Sequence, residues 1–232
     1  MATERTAHMV IAIDGPAASG KSSTAQWVAR RLTFHHVDSG SLYRALTAAA
    51  IREGSADWNE SDVLAAASRV EFAPADATFV PLLDGERADD ELRGAAVTRH
   101  VSRVASMPNV RAWVNEQVRR AAERRDVVVD GRDIGTVVFP RADLKVFLVA
   151  DPWERARRRL IQRLGHAPID AEIAEETERL VQRDAQDANQ TVQALDAVLI
   201  DTTYLTQAEQ VERIVALANA TAAEHGRDRR GA

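Results

Sequence analysis

The sequence predicts an α/β fold in which helices flank a doubly wound parallel sheet. Near-continuous apolar runs such as MVIAID, RDVVVDG and ADLKVFLVA read as strands buried on both faces. The first run and the short patch at 34–37 are each followed by a stretch with helical spacing, so βα units recur from the start of the chain.

The elements follow in order. After the first strand, STAQWVARRL places Ala25, Val28, Ala29 and Leu32 at i, i+3, i+4 and i+7, one apolar helix face. Phe34 to Val37 is the second strand, and SLYRALTAAAIREG the second helix, opened by Ser39 or Ser41 and closed near Gly54. Residues 55–107 break the alternation: a helical piece around Asp62 to Ser68 precedes VEFAP and TFVPLLDG, two strands with a turn at Asp84-Gly85. This segment is expected to be a small inserted lobe. Pro108 opens a long helix, as a first-turn proline should. RDVVVDG and ADLKVFLVA supply central strands. Asp151-Pro152-Trp153-Glu154 reads as an N-cap, a first-turn proline and a reciprocal Glu, opening an arginine-rich helix. A second helical stretch, IDAEIAEETERLVQRD, leads to the last strand, DAVLID. Thr206 and Glu209 cap the terminal helix. One domain over 9–225 is expected, with a core of 9–54 and 108–225, the insertion at 55–107, a helical lid at 153–185, and disordered tails at 1–8 and 226–232.

Composition narrows the function classes. There are no cysteines, so no disulfide, thiolate nucleophile or cysteine metal site is available. The opening MATERTAH is polar, and no apolar run approaches the roughly 20 residues that span a bilayer. A soluble cytoplasmic protein, with no membrane partner, is expected. The net charge of −5 argues against binding nucleic acid through a general basic field. Of the 30 basic residues only Lys21 and Lys145 are lysines.

One of those two lysines sits in a motif. Gly15-Pro16-Ala17-Ala18-Ser19-Gly20-Lys21-Ser22 fits the G-x-x-x-x-G-K-S phosphate-binding loop, between a strand and a helix as the motif requires. In a chain that fills basic positions with arginine, a lysine there by chance is improbable. Backbone amides of such a loop cradle phosphate oxygens, Lys21 reaches the β and γ phosphates, and the Ser22 hydroxyl meets Mg²⁺; residues 15–23, Ser23 included, are expected to bind the triphosphate. A nucleoside triphosphate binds; its γ phosphate passes to water or to an acceptor.

The residue types weigh those outcomes. A guanine-reading Asn-Lys-x-Asp element is missing, which argues against a GTPase switch. Asp130, ending VVVD, could hold Mg²⁺ in an ATPase, so hydrolysis stays open. Arginines favour transfer to a phosphorylated acceptor, where two polyanions must meet and guanidinium forks offset the repulsion. Arg44 follows the second strand and Arg132 follows RDVVVDG, in the crevice where doubly wound sheets bind ligands. Arg155, Arg158 and Arg159 cluster on one helix and Arg183 ends the next; a solvated, charge-balanced helix face is the competing reading of that cluster.

Taken together, GPAASGKSS, VDSGSLYRALT, VSRVASMPNVR, DGRDIGTVVFP and RDAQD resemble the bacterial type of cytidylate kinase, in the nucleoside monophosphate kinase superfamily. The blocks run in order over 9 to about 217. The resemblance implies transfer of the γ phosphate of ATP to CMP or dCMP with Mg²⁺. It implies that Ser102, Arg111 and Asp133 read the cytosine edge, that Arg44 and Arg132 hold the acceptor phosphate, and that Ser39 and Asp187 face the ribose with Tyr43 packed alongside. Lys21, Arg158, Arg159 and Arg183 would neutralise the transferring group. One position departs from the family pattern: Gln190 stands where a second arginine of the last block is expected. A P-loop kinase for another small acceptor, and a regulatory nucleotide-binding protein without transfer activity, are the alternatives. A monomer is expected.

Overall fold

The computed structural model describes residues 8–54 and 57–228. The tails expected to be disordered lie partly outside these: 1–7 and 229–232 are not described. Among the described residues, seven strands form one sheet in the order β3-β4-β2-β5-β1-β6-β7. The strands are β1 (Val10–Asp14), β2 (His35–Asp38), β3 (Val70–Ala75), β4 (Thr78–Leu83), β5 (Val127–Gly131), β6 (Leu144–Val149) and β7 (Val198–Asp201). All neighbouring pairs are parallel except the β3–β4 hairpin. The main helices are α1 (Lys21–Leu32), α2 (Ser39–Arg52), α5 (Ala95–Ala105), α6 (Pro108–Ala122), α7 (Pro152–Leu164), α8 (Asp170–Asp187) and α9 (Gln207–Asp228), with short α3 (Glu60–Ala65) and α4 (Asp89–Arg93) in the insertion.

The period-two alternation of strands divides the core between two faces. Ile11, Ile13, Val128 and Val146 pack with Ala25 and Val28 of α1 and Ile214 of α9. Ala12, Val37, Val127 and Val129 face the other way, against Leu42 and Leu46 of α2 and Val110, Val114 and Val118 of α6. Because both faces are covered, the central strands are apolar throughout, which is why they are legible as unbroken runs.

The insertion differs from expectation. It builds no sheet of its own: β4 pairs parallel with β2, Thr78 beside His36 and Phe79 beside Val37, so the hairpin extends the main sheet and covers an edge β2 would otherwise expose. Its turn is at Asp76-Ala77, with Asp76 at φ +49°, where aspartate is among the tolerant residues. Asp84-Gly85 makes a second tight turn, between Leu83 and Glu86. The cap of α2 also moves by one residue. Asp38 accepts from the Ser41 amide at 3.1 Å, while the Ser39 hydroxyl is drawn instead to the Asp130 carbonyl at 2.8 Å. Asp151 caps α7 through the Trp153 and Glu154 amides, but Glu154 does not reciprocate; Arg157 and Arg158 hold its carboxylate. Thr206 and Glu209 do form the reciprocal cap of α9.

Helices α7 and α8 pack on each other around Ala156, Leu160, Ile173 and Leu180, a small core separate from the sheet that also takes in Ala17 of the loop after β1. These two helices and the glycine-rich loop therefore share apolar contacts as well as charge.

Candidate active site

The strand ends decide where the site lies. Strands β1, β2 and β5 finish side by side on Asp14, Asp38 and Asp130-Gly131, and the loops leaving them surround one cleft of about 210 Å³. One wall is the glycine-rich loop. Gly15 has φ +149° and a Cβ there would lie 2.2 Å from the Leu148 carbonyl oxygen, so only glycine lets the loop pass β6. The loop delivers its amides to the first turn of α1, and Lys21 folds back to donate to the Pro16 carbonyl at 2.9 Å. Burial, with Arg132 close by, pushes the Lys21 ammonium down to about 7. Ser22 donates to Asp130 at 2.5 Å, and the other oxygen of Asp130 meets His36 Nε2 at 2.7 Å. Burial lifts Asp14 to about 6, although its carboxylate accepts from the Ile134 and Gly135 amides at 2.9 and 2.8 Å. Asp14 thus ties the first loop to the turn that carries Arg132 and Asp133.

The opposite wall comes from α2, α5, α6 and the end of α8. Ser39, Tyr43 and Arg44 lie on the first two turns of α2; Ser102 lies on the last turn of α5 and Arg111 on the first turn of α6. Arg111 pairs with Asp133 and donates to the Ala105 carbonyl at 3.1 Å and to Gln190 Oε1 at 3.2 Å. Burial raises Asp133 against the pull of Arg111. Arg132 donates to Asp187 at 2.9 Å and to the Gly15 carbonyl at 3.0 Å, bridging the two walls. Arg44 reaches the Leu92 carbonyl at 3.2 Å, and burial lowers its pKa. Burial also lowers the pKa of Arg183, to about 10. Gly131 must be glycine, because a Cβ would sit 2.6 Å from Ser39 Oγ.

Every residue expected at the acceptor side, namely Ser39, Tyr43, Arg44, Ser102, Arg111, Arg132, Asp133 and Asp187, lines this one cleft, together with Lys21, Arg159, Arg183 and Gln190. The buried Tyr43 hydroxyl and Arg183 Nε, both on residues lining this cleft, have no hydrogen-bond partner. Buried polar atoms left so are costly, and two of them beside a cationic cleft fit a polar, anionic ligand.

The arginine cluster of α7 divides. Arg155 is almost fully buried and holds the Ala17 carbonyl at 2.8 Å and Asp184 at 2.6 Å, and Asp184 in turn accepts from the Ala17 amide at 3.2 Å. Arg159 lines the cleft and pairs with buried Glu176 at 2.9 Å. Arg158 does not line it; its guanidinium donates to the Thr202 and Thr203 carbonyls at 2.6 and 2.9 Å, beyond the loop. Arg157 is exposed on Glu154, the solvated face that charge patterning anticipates.

With this geometry in place, comparison with known proteins is decisive. The family model described as cytidylate kinase matches residues 11–220. The chain belongs to the cytidylate kinase family. A cytidylate kinase of Chlorobaculum tepidum is 41% identical over 219 residues, covering 91% of this chain and 93% of that one. One of Chromobacterium violaceum is 42% identical, covering 89% and 93%, and one of Solibacter usitatus is 37% identical, covering 98% and 99%. A solved structure of an uncharacterized Eubacterium ventriosum protein shares the fold at TM-score 0.52 and 12% identity, covering 91% of this chain and 99% of that one.

Four residues to which the sequence assigns no role at the site also hold the cleft together: Asp14, His36, Asp38 and Asp184. A signal existed for three of them. Asp14 and Asp38 end strands as Asp130 does, and Asp38 and Asp184 lie within the blocks VDSGSLYRALT and RDAQD. His36 carries no local signal, since it acts through a partner 94 residues away.

Proposed function

We propose that the protein transfers the γ phosphate of ATP directly to the phosphate of CMP or dCMP, giving CDP or dCDP and ADP. The observation that carries this reading is the single cleft that sets Ser102, Arg111 and Asp133 across from the Lys21 loop, with Arg132 between them. An acceptor phosphate oxygen forms the new bond to the γ phosphorus as the bond to the β-bridging oxygen breaks, and ADP leaves with that electron pair. The second phosphate pKa is about 6, so the acceptor is largely deprotonated at neutral pH and needs no general base. What the site supplies is positioning and charge: Arg44 and Arg132 fork onto the acceptor phosphate, and Lys21, Arg159 and Arg183 face the transferring group. Arg158, expected to join them, is held instead by Glu154 and the Thr202 and Thr203 carbonyls and takes no part. The carboxylate of Asp133 accepts from the exocyclic amine of cytosine; uracil offers an acceptor there, a mismatch of about 1–3 kcal/mol.

Ser22 Oγ and the Asp130 carboxylate fit a Mg²⁺ ion that takes its remaining ligands from phosphate and water. Such an ion would supply charge neutralisation between donor and acceptor phosphates. A monomer in the cytoplasm is the proposed working form; among the described residues no helix is long and apolar enough to cross a membrane.

The test is ADP release with ATP, Mg²⁺ and a panel of CMP, dCMP, UMP, AMP and non-nucleotide acceptors. CMP and dCMP are expected to stimulate release most. Stimulation by a different acceptor would replace this reading with that of another P-loop kinase, and no stimulation would leave a nucleotide-binding protein without transfer activity.

Gln190 supports keeping the acceptor panel broad, because its amide oxygen anchors Arg111, the residue that pairs with Asp133. Gln190→Leu removes that anchor without adding charge. Its KM for CMP is expected to rise about 3- to 10-fold with little change in kcat, the scale of one ordinary hydrogen bond, since Arg111 keeps its other two partners. An unchanged KM would show that Arg111 is held well enough by Asp133 and the Ala105 carbonyl.

A further inference from the structure

A histidine inside a central parallel strand calls for a reason. Strand β2 is flanked by β4 and β5, and its residue Val37 is fully buried, yet beside it stands a buried His36. Side chains at 36 and 38 of β2 and at 128 and 130 of β5 share one face of the sheet, with His36 opposite Val128 and Asp38 opposite Asp130. His36 therefore reaches Asp130 on the diagonal, Nε2 to Oδ1, at 2.7 Å. Asp130 is itself 2% exposed, and its Oδ2 receives the Ser22 hydroxyl. On the far side of the ring, Nδ1 lies 3.4 Å from Thr78 Oγ1 of β4. The arrangement is a chain across four elements, from Thr78 of β4 through His36 of β2 and Asp130 of β5 to Ser22 at the start of α1.

We infer that His36 is a positioning residue for the cation end of the donor site, fixing the plane of the Asp130 carboxylate so that its Oδ2 stays directed at Ser22. The reasoning is geometric. A carboxylate held through one oxygen can turn about its Cβ–Cγ bond; held through both, it presents one oxygen in one place. Asp130 and Ser22 are the pair that fits Mg²⁺ in the proposed function, on which this inference rests. A group that orients a ligand without touching the ion changes metal affinity about 10- to 100-fold when removed.

The experiment is calorimetric titration of the full chain with ATP plus Mg²⁺, and with ATP plus a chelator, for wild type, His36→Leu and His36→Gln, each checked for folding by its melting curve. His36→Leu is expected to weaken binding of the magnesium complex about 10-fold and that of metal-free ATP less than 2-fold. His36→Gln, whose Nε2 can donate to Asp130 from nearly the same place, is expected to recover most of the loss. Unchanged binding of the magnesium complex by the Leu variant would overturn the inference. So would an equal loss for both forms of ATP, the mark of general damage, or a Gln variant as weak as Leu. Wild type that binds the magnesium complex but shows no acceptor-stimulated ADP release would count against the proposed reaction alone, whereas the inference is judged by the variants' binding.

Discussion

Lys21→Met is expected to lower CMP-dependent ADP release by about 10²–10³-fold, the scale for removing one preorganised group from a developing charge. The same change is expected to make the ligand-free protein more stable, by about 1–2 kcal/mol at neutral pH. The two effects have one cause. Lys21 is buried, it donates to the Pro16 carbonyl at 2.9 Å, and Arg132 is close enough to oppose its charge. Triphosphate relieves that burden; an apolar side chain removes it. The sign of the pH dependence follows from linkage. The ammonium drops from 10.5 to about 7 on folding, so between those values the folded chain binds fewer protons than the unfolded one and stability rises with pH. The advantage of methionine is therefore full below about pH 7 and shrinks as pH climbs from there toward 10.5. Melting curves across that range, beside a steady-state assay, test both halves. Near-normal turnover, or a less stable ligand-free variant at pH 7, would contradict the account.

The second large effect is expected at Arg132. Its guanidinium donates to Asp187 at 2.9 Å and to the Gly15 carbonyl at 3.0 Å, joining the acceptor wall to the phosphate loop. Arg132→Ala removes the fork proposed for the acceptor phosphate and leaves the buried Asp187 with Arg183 at 3.7 Å as its remaining cation among the described residues. A fall in kcat/KM of about 10²–10³-fold is expected, divided between a higher KM for CMP and a lower kcat. Arg132→Lys should restore part of kcat and little of KM, because an ammonium returns the charge but cannot bond Asp187 and the carbonyl at once. If the alanine variant kept both constants within twofold, the bridge would be structural decoration and the acceptor phosphate would lie elsewhere.

Much of this site is readable along the chain because its parts are local. The phosphate loop is eight consecutive residues whose function is carried by backbone amides. The residues proposed for the acceptor side, which line the one cleft, fall in short blocks at the ends of strands and the starts or ends of helices, where side chains of a doubly wound sheet converge. The blocks DSGSLYR and DGRDIGTVVFP therefore point to the cleft even though β2 and β5 are far apart in sequence. What escapes such reading is pairing between charges. The arginines of α7 are alike in spacing, yet Arg155 turns onto Ala17 and Asp184, Arg158 onto two carbonyls after β7, Arg159 onto Glu176 and Arg157 onto Glu154. A guanidinium on a flexible stem takes whichever acceptor the fold brings within reach, and helical position alone does not rank those acceptors.

The chain's own order of residues thus settles the phosphate loop, the alternation of strands and helices, and the set of groups available to two phosphorylated ligands, since these rest on backbone geometry and periodicity over a few residues. Tertiary packing settles the rest. It places the β3–β4 hairpin on the main sheet because β2 has an open edge, draws Ser39 to the Asp130 carbonyl instead of the cap, and brings His36 to Asp130 across two strands. Each of these outcomes is a choice among partners distant in sequence, fixed by which hydrogen-bonding groups burial would otherwise leave unsatisfied.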